Sequence, residues 1–144
     1  MPSGRTRSRP EAPLIFFLDR GLGRNIVAAA LRDAGFMAVT MIDVYPHGTD
    51  QRVGDDEWIA RASDEGWVAL TKDASIIRDH VAALAASTLR VFALNNANVS
   101  GPEMARRYVI NLSRIVHRAR QPDPYVYVVS PSGLELRWRP EFVR

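Results

Sequence analysis

Cysteine is absent from the chain. Disulfides, thiolate metal sites and a cysteine nucleophile are therefore excluded. Lysine occurs once, as Lys72; all other residues among the 19 Lys and Arg are arginines. No apolar run approaches the ~20 residues that cross a bilayer. The three histidines, His47, His80 and His117, are far apart in sequence. They show no paired metal-ligand spacing, so each reads as a surface or packing residue. G-x-S-x-G, the P-loop and G-x-G-x-x-G are missing too. Gly21 and Gly23 follow an apolar run, but at the wrong spacing for a dinucleotide fingerprint.

What is present fits one domain. The chain has 144 residues, 47% of them hydrophobic, enough to build a core. Residues 1–13 are basic and rich in Pro and Ser, without the apolar stretch of a secretory signal. The reading is a flexible basic N-terminal tail over 1–13, a single domain over 14–144, and a soluble cytoplasmic protein. Net charge is +3 and the pI about 9.8. That permits an anionic partner without requiring one, because much of the excess lies at the two ends. Arg5, Arg7 and Arg9 read as a solvated tail, with a nucleic-acid-contacting arm as the alternative.

Periodicity supplies the architecture. Leu14–Leu18 is an unbroken apolar run, as in a strand buried on both faces. Ile26, Val27, Ala30 and Leu31 then recur at helical spacing, and Gly35 closes that segment. Met37–Ile42 reads as a second strand ending at Asp43, and 44–54 as a loop by its Pro, Gly and Asp content. Asp55-Asp56-Glu57 opens a helix with acids that complement its dipole, and Trp58 belongs to its apolar face. Trp67–Leu70 is a third strand, about 74–86 a short helix, and Leu89–Leu94 a fourth strand. Ser100-Gly-Pro-Glu103 starts one long helix that Pro122 and Pro124 break. Arg106, Arg107, Arg114 and Arg118 recur on it, mostly as a solvated face. Tyr125–Val129 and Leu134–Trp138 flank a hairpin turn. The alternation predicts an α/β fold: three layers, α/β/α, around a central mainly parallel sheet of about five strands.

Three predicted strands end in an aspartate: Asp19, Asp43 and Asp73. Asp55 and Asp56 start the helix before the third strand, which puts them at the same carboxyl edge, where ligands of open α/β sheets bind. Each acid alone has an ordinary explanation: Asp19, Asp55 and Asp73 as helix caps, Asp43 as a turn residue. Together they repel one another unless a cation neutralises them. Oxygen donors without cysteine or paired histidine suit Mg²⁺ or Mn²⁺. Such an ion activates water and stabilises in-line attack at phosphorus.

Three stretches, F-F-L-D-R-G-L-G (16–23), D-D-E-W-I-A (55–60) and G-W-V-A-L-T-K-D (66–73), carry a family resemblance. Their order and spacing across 14–80 resemble the PIN-domain nucleases, and more narrowly the VapC-type toxins of bacterial toxin–antitoxin pairs. The resemblance implies a PIN-like fold and a metal-dependent endoribonuclease. Its catalytic acids would be Asp19, Asp55 and Asp73, with Asp56 competing for the place of Asp55. Asp19, Asp55 and Asp73 would hold Mg²⁺ or Mn²⁺. Lys72, Arg20 and Arg24 would contact the RNA phosphates, although Lys72 also reads as a plain surface lysine. The resemblance further implies an RNA substrate (tRNA, rRNA or mRNA), a cognate antitoxin and a possible homodimer. Many members carry a fourth acid, a glutamate on a helix after the second strand. This chain has the 44–54 loop there, leaving Asp43 and Asn95 as a possible fourth acid or support.

Other readings fare less well. A receiver-type phosphoacceptor needs its lysine alone at the end of a later strand. A haloacid-dehalogenase-like phosphatase needs an acid where Gly21 stands. The non-enzymatic alternative is a catalytically degenerate PIN-like module that binds RNA or a partner.

Overall fold

The computed structural model describes residues 13–121 and 124–142. Residues 1–12 of the basic tail, and Pro122, lie outside the described residues.

Six strands form one sheet: β1 Ile15–Leu18, β2 Met37–Thr40, β3 Val68–Thr71, β4 Arg90–Leu94, β5 Tyr125–Ser130 and β6 Gly133–Trp138. Their order is β2-β1-β3-β4-β5-β6. The first five are parallel, and β6 returns antiparallel from β5 through the expected hairpin. The predicted three-layer α/β/α architecture is present, with a sixth strand added at the edge.

Side-chain alternation sorts the core into two layers. On β1, Phe16 and Leu18 face one side and Phe17 the other. Val68, Leu70, Phe92, Leu94, Tyr125 and Tyr127 join the first side. There they pack against α1 (Ile26–Asp33), α6 (Gly101–Ile110) and α7 (Leu112–Ala119). Phe17, Ala69, Val91, Ala93 and Val126 face the second side, covered by α3 (Asp55–Glu65), α4 (Ile76–Asp79) and α5 (Val81–Ala85). Phe17 stacks on Trp67 and tilts against Trp58, so both tryptophans are structural. Each fully buried large apolar side chain of this kind contributes roughly 1.5–3 kcal/mol.

Several boundaries differ from the sequence reading. The second strand stops at Thr40, where a capping box with Asp43 starts a helix, α2 (Met41–Val44). The expected loop also holds a 3-10 turn, Thr49–Arg52. The helix expected over 74–86 is two short ones, α4 and α5. The long last helix is interrupted at Asn111. This side chain is fully buried, and its amide donates to the carbonyls of Arg107 and Ser130, both at 2.9 Å. The amide thus ties the helix break to the end of β5.

The strand order reverses at β1. The chain leaves it through α1 toward β2 and returns through α3 to β3 on its other side. The carboxyl ends of β1 and β3 are therefore the topological switch point of the sheet, where open α/β sheets place their sites.

Candidate functional site

Asp19 follows β1 directly, and its backbone N–H bonds the Leu70 carbonyl of β3 at 3.1 Å. Its extended conformation turns the carboxylate back to cap the 3-10 turn Arg20–Leu22, accepting from Gly21 N at 2.9 Å. The other carboxylate oxygen accepts from the Thr71 hydroxyl at the end of β3. Burial pushes the Asp19 carboxyl up to about 6, with the nearby Asp55 charge adding to the rise. The hydrogen bonds from Thr71 and Gly21, and the charge of Lys72, oppose it. The protein therefore holds a carboxylate whose charge is incompletely compensated.

Asp55 is the first residue of α3, and the capping position is Gly54. The Asp55 carboxylate is held otherwise: the Trp58 indole N–H donates to it at 2.8 Å, and His80 Nε2 lies 3.0 Å from its second oxygen. The other imidazole nitrogen lies 2.8 Å from Asp56. His80, read from sequence as a surface or packing residue, thus bridges both acids. Asp73 follows β3 and accepts from Ser75 N at 2.8 Å.

Asp19, Asp55, Asp73, Lys72 and Arg20 line one pocket of about 390 Å³. Gly21 leaves room there for the Lys72 side chain. A Cβ at this position would lie 2.9 Å from three carbons of the Lys72 side chain, which crosses over the bare glycine. Beneath the strand ends, buried Tyr108 places its hydroxyl 2.8 Å from the Thr71 carbonyl and 2.9 Å from the Phe92 carbonyl. Burial holds that phenol well above its ordinary range.

The other expected residues are placed elsewhere. Asp56 is well exposed and lies outside the pocket. Arg20 reaches the pocket wall, but its guanidinium also donates to the backbone carbonyls of Asp50 and Val53 and pins the 49–53 segment to β1. Arg24 is exposed and does not line the pocket. Asp43 accepts from Thr40 N at 2.9 Å and pairs with Arg32 at 3.2 Å. Asn95 receives Arg107 Nη1 at 3.1 Å. Neither Asp43 nor Asn95 lines the pocket.

Three residues of interest were missed in the sequence. Asp79, the last residue of α4, and His80, which follows it, also line the pocket. The helical segment after Thr-Lys-Asp was the available signal for them. Arg78 binds Asp79 and holds its carboxyl below the usual range. Asp50, in the 3-10 turn, is a second acid held out of solvent, only 4% exposed. It accepts from Gln51 Nε2 at 2.9 Å, and no sequence pattern announced it.

The donor set suits a hard cation in kind: four carboxylates, those of Asp19, Asp55, Asp73 and Asp79, line one pocket, and burial makes Asp19 resist ionisation without compensation. In geometry they stand apart. Among the described residues no three His, Asp or Glu side chains are grouped closely enough to hold an ion.

A family profile described as a PIN like domain matches residues 14–96. Over 120 residues the chain is 38% identical to a Mycobacterium tuberculosis (strain ATCC 25618 / H37Rv) protein named "Putative ribonuclease VapC45". The match covers 82% of this chain and 87% of that one. No solved structure matches the chain significantly. More than half of the chain fits the profile, and most of it aligns with that relative. On both grounds the chain belongs to the PIN-like domain family, of the VapC type.

Proposed function

We propose that the protein is a metal-dependent endoribonuclease, the toxin of a toxin–antitoxin pair, acting in the cytoplasm. The observation that carries this reading is the pocket at the β1/β3 switch point, which Asp19, Asp55, Asp73 and Lys72 share. The name of the mycobacterial relative supports the substrate class. Asp19, Asp55 and Asp73 are the candidate ligands. Mg²⁺ or Mn²⁺, when bound, supplies a Lewis acid and lowers the pKa of water.

The chain's own residues do the rest. Thr71 and the Gly21 N–H orient Asp19 and favour its ionised form. Trp58 and His80 orient Asp55. The Lys72 ammonium, carried over Gly21, offers a point charge to a phosphate oxygen. Arg20 keeps the 49–53 segment against β1. An acidic pocket of this kind also fits an arginine from a cognate antitoxin, which would block it. The partners proposed are an RNA substrate, the antitoxin and a second copy of the chain. Among the described residues no helix is long and apolar enough to cross a membrane.

The separation of the acids favours a second reading, a PIN-like module that binds RNA or a partner without cutting. One experiment separates the two. Wild type and Asp73→Asn are incubated with total cellular RNA, with Mg²⁺ or Mn²⁺ and with EDTA. Discrete fragments that need metal and vanish in the variant support the nuclease. Folded protein that cleaves under no condition supports the binding module.

A further inference from the structure

Arg106, Arg107, Arg114 and Arg118 of the last helical segment were expected to be mostly a solvated face, and Arg106, Arg114 and Arg118 are exposed. The structure divides them. Arg106 and Arg107 both bind Glu103, at 2.7 and 2.8 Å, and hold its carboxyl down to about 2. Arg114 and Arg118 instead face a groove of about 540 Å³ between α7 and the β5–β6 hairpin. His117, Tyr127, Ser132 and Leu134 also line it, and no carboxylate does. Among the described residues no Asp or Glu pairs with Arg114, His117 or Arg118. The Arg118 guanidinium lies over the Tyr127 ring, 5.6 Å from its centroid. Arg114 Nη1 donates to Asn111 Oδ1 at 3.3 Å. Both cations are thus anchored at one side while charge of one sign accumulates in the groove.

The groove also has a definite place relative to the acids. Asn111 bonds the Ser130 carbonyl at the end of β5, so the Arg114 end of the groove opens at the carboxyl edge of the parallel strands. β5 is two strands from β3 in the sheet. At about 4.8 Å per strand, that is roughly 10 Å along the same edge from Thr71 and Asp73. The groove lies on the α7 side of the sheet and the acid pocket is lined from the α3–α4 side, so a strand reaching both passes over the carboxyl ends of β3, β4 and β5. Uncompensated arginines suit successive phosphates, because their planar forks donate two hydrogen bonds to each.

We propose that this groove is a second contact surface for single-stranded RNA, gripping the phosphodiester backbone through Arg114 and Arg118. The proposal rests on the ribonuclease reading of the acid pocket, and binding is tested separately from cleavage. The full chain is titrated in EDTA against a labelled single-stranded RNA oligonucleotide at several salt concentrations, followed by fluorescence anisotropy. Arg114→Gln/Arg118→Gln is expected to weaken binding about tenfold and to make the log–log salt slope shallower by about 1.4, the loss of two phosphate contacts. Because Arg118 packs on Tyr127, Arg114→Gln alone is the second variant, with a slope change of about 0.7. Melting curves establish that both are folded. Unchanged affinity and slope overturn the proposal, as does wild type that binds no RNA. Unchanged RNA binding with lost binding to poly-glutamate also overturns it, in favour of an acidic protein segment. Metal-dependent cleavage by wild type is scored on its own, so its failure would sink the nuclease reading while the binding result still stands or falls by itself.

Discussion

The Thr71 hydroxyl donates to the Asp19 carboxylate across the crevice between β3 and β1, joining two residues that lie 52 positions apart. This bond, with the one from Gly21 N, opposes the burial that raises the Asp19 carboxyl to about 6. Thr71→Val removes the donor and keeps the shape. It is expected to raise the Asp19 pKa further and to displace the acid limb of a kcat/KM pH profile to higher pH. An unmoved limb would separate Asp19 from the titration that controls activity.

Burial of Asp19 also predicts a pH-dependent stability. A carboxyl at about 6 in the fold, against an ordinary 3.8, is favoured in its protonated form. The stability it contributes is complete below 3.8 and is lost as pH climbs through about 6. In EDTA, wild type should lose about 1–2 kcal/mol more than Asp19→Asn over that window, after discounting for partial solvent contact. Denaturant unfolding of both proteins at pH 4 and pH 7 gives the difference. Mn²⁺ added at pH 7 should restore much of it to wild type alone.

Gly21 and Lys72 form a pair that one substitution can separate. Gly21 lacks a positive φ, so alanine suits its backbone and acts only by displacing the lysine. Gly21→Ala and Lys72→Met are expected to reduce kcat/KM to similar extents, about tenfold or roughly 1.4 kcal/mol. The double variant should be little worse than either, because both remove the same contact. Additive losses would mean that the glycine matters for another reason.

His80 orients Asp55 and Asp56 without lying on their helix. His80→Ala is expected to weaken Mn²⁺ binding about 10–100-fold, the usual effect of losing a residue that orients a ligand. Calorimetric titration reads this directly. Global stability should move by less than about 1 kcal/mol, since the pairs are partly exposed.

Asn111 is the structural counterpart. Asn111→Leu leaves the Arg107 and Ser130 carbonyls without their buried donor and should cost about 1–3 kcal/mol in thermal or denaturant unfolding. It should also loosen the Arg114 end of the basic groove, seen as a shallower salt slope in RNA binding.

The layers and their order were legible before any coordinates, because hydrophobic periodicity and turn residues are local. The apolar run Leu14–Leu18 suited a strand buried on both faces, and the strand is Ile15–Leu18. With strands alternating with helices, Asp19 and Asp73 fell at one edge of a parallel sheet. The 44–54 stretch was harder, since a four-residue helix set by one Thr40–Asp43 box gives no periodic signal. The break at Asn111 was invisible for a related reason. The residues on both sides continue the helical pattern, and what interrupts it is a bond to Ser130, 19 positions on.

The same division runs through the site. Sequence placed Asp19, Asp55 and Asp73 at the carboxyl edge, because strand direction follows from the order of strands and helices along the chain, but it did not single out Asp79. Only the tertiary structure decided that Asp55 rather than Asp56 lines the pocket, and that His80 holds both. It also left Arg114 and Arg118 uncompensated in a groove while Arg106 and Arg107 bind Glu103. Those outcomes depend on side-chain direction and on contacts between distant segments, and no local pattern encodes them.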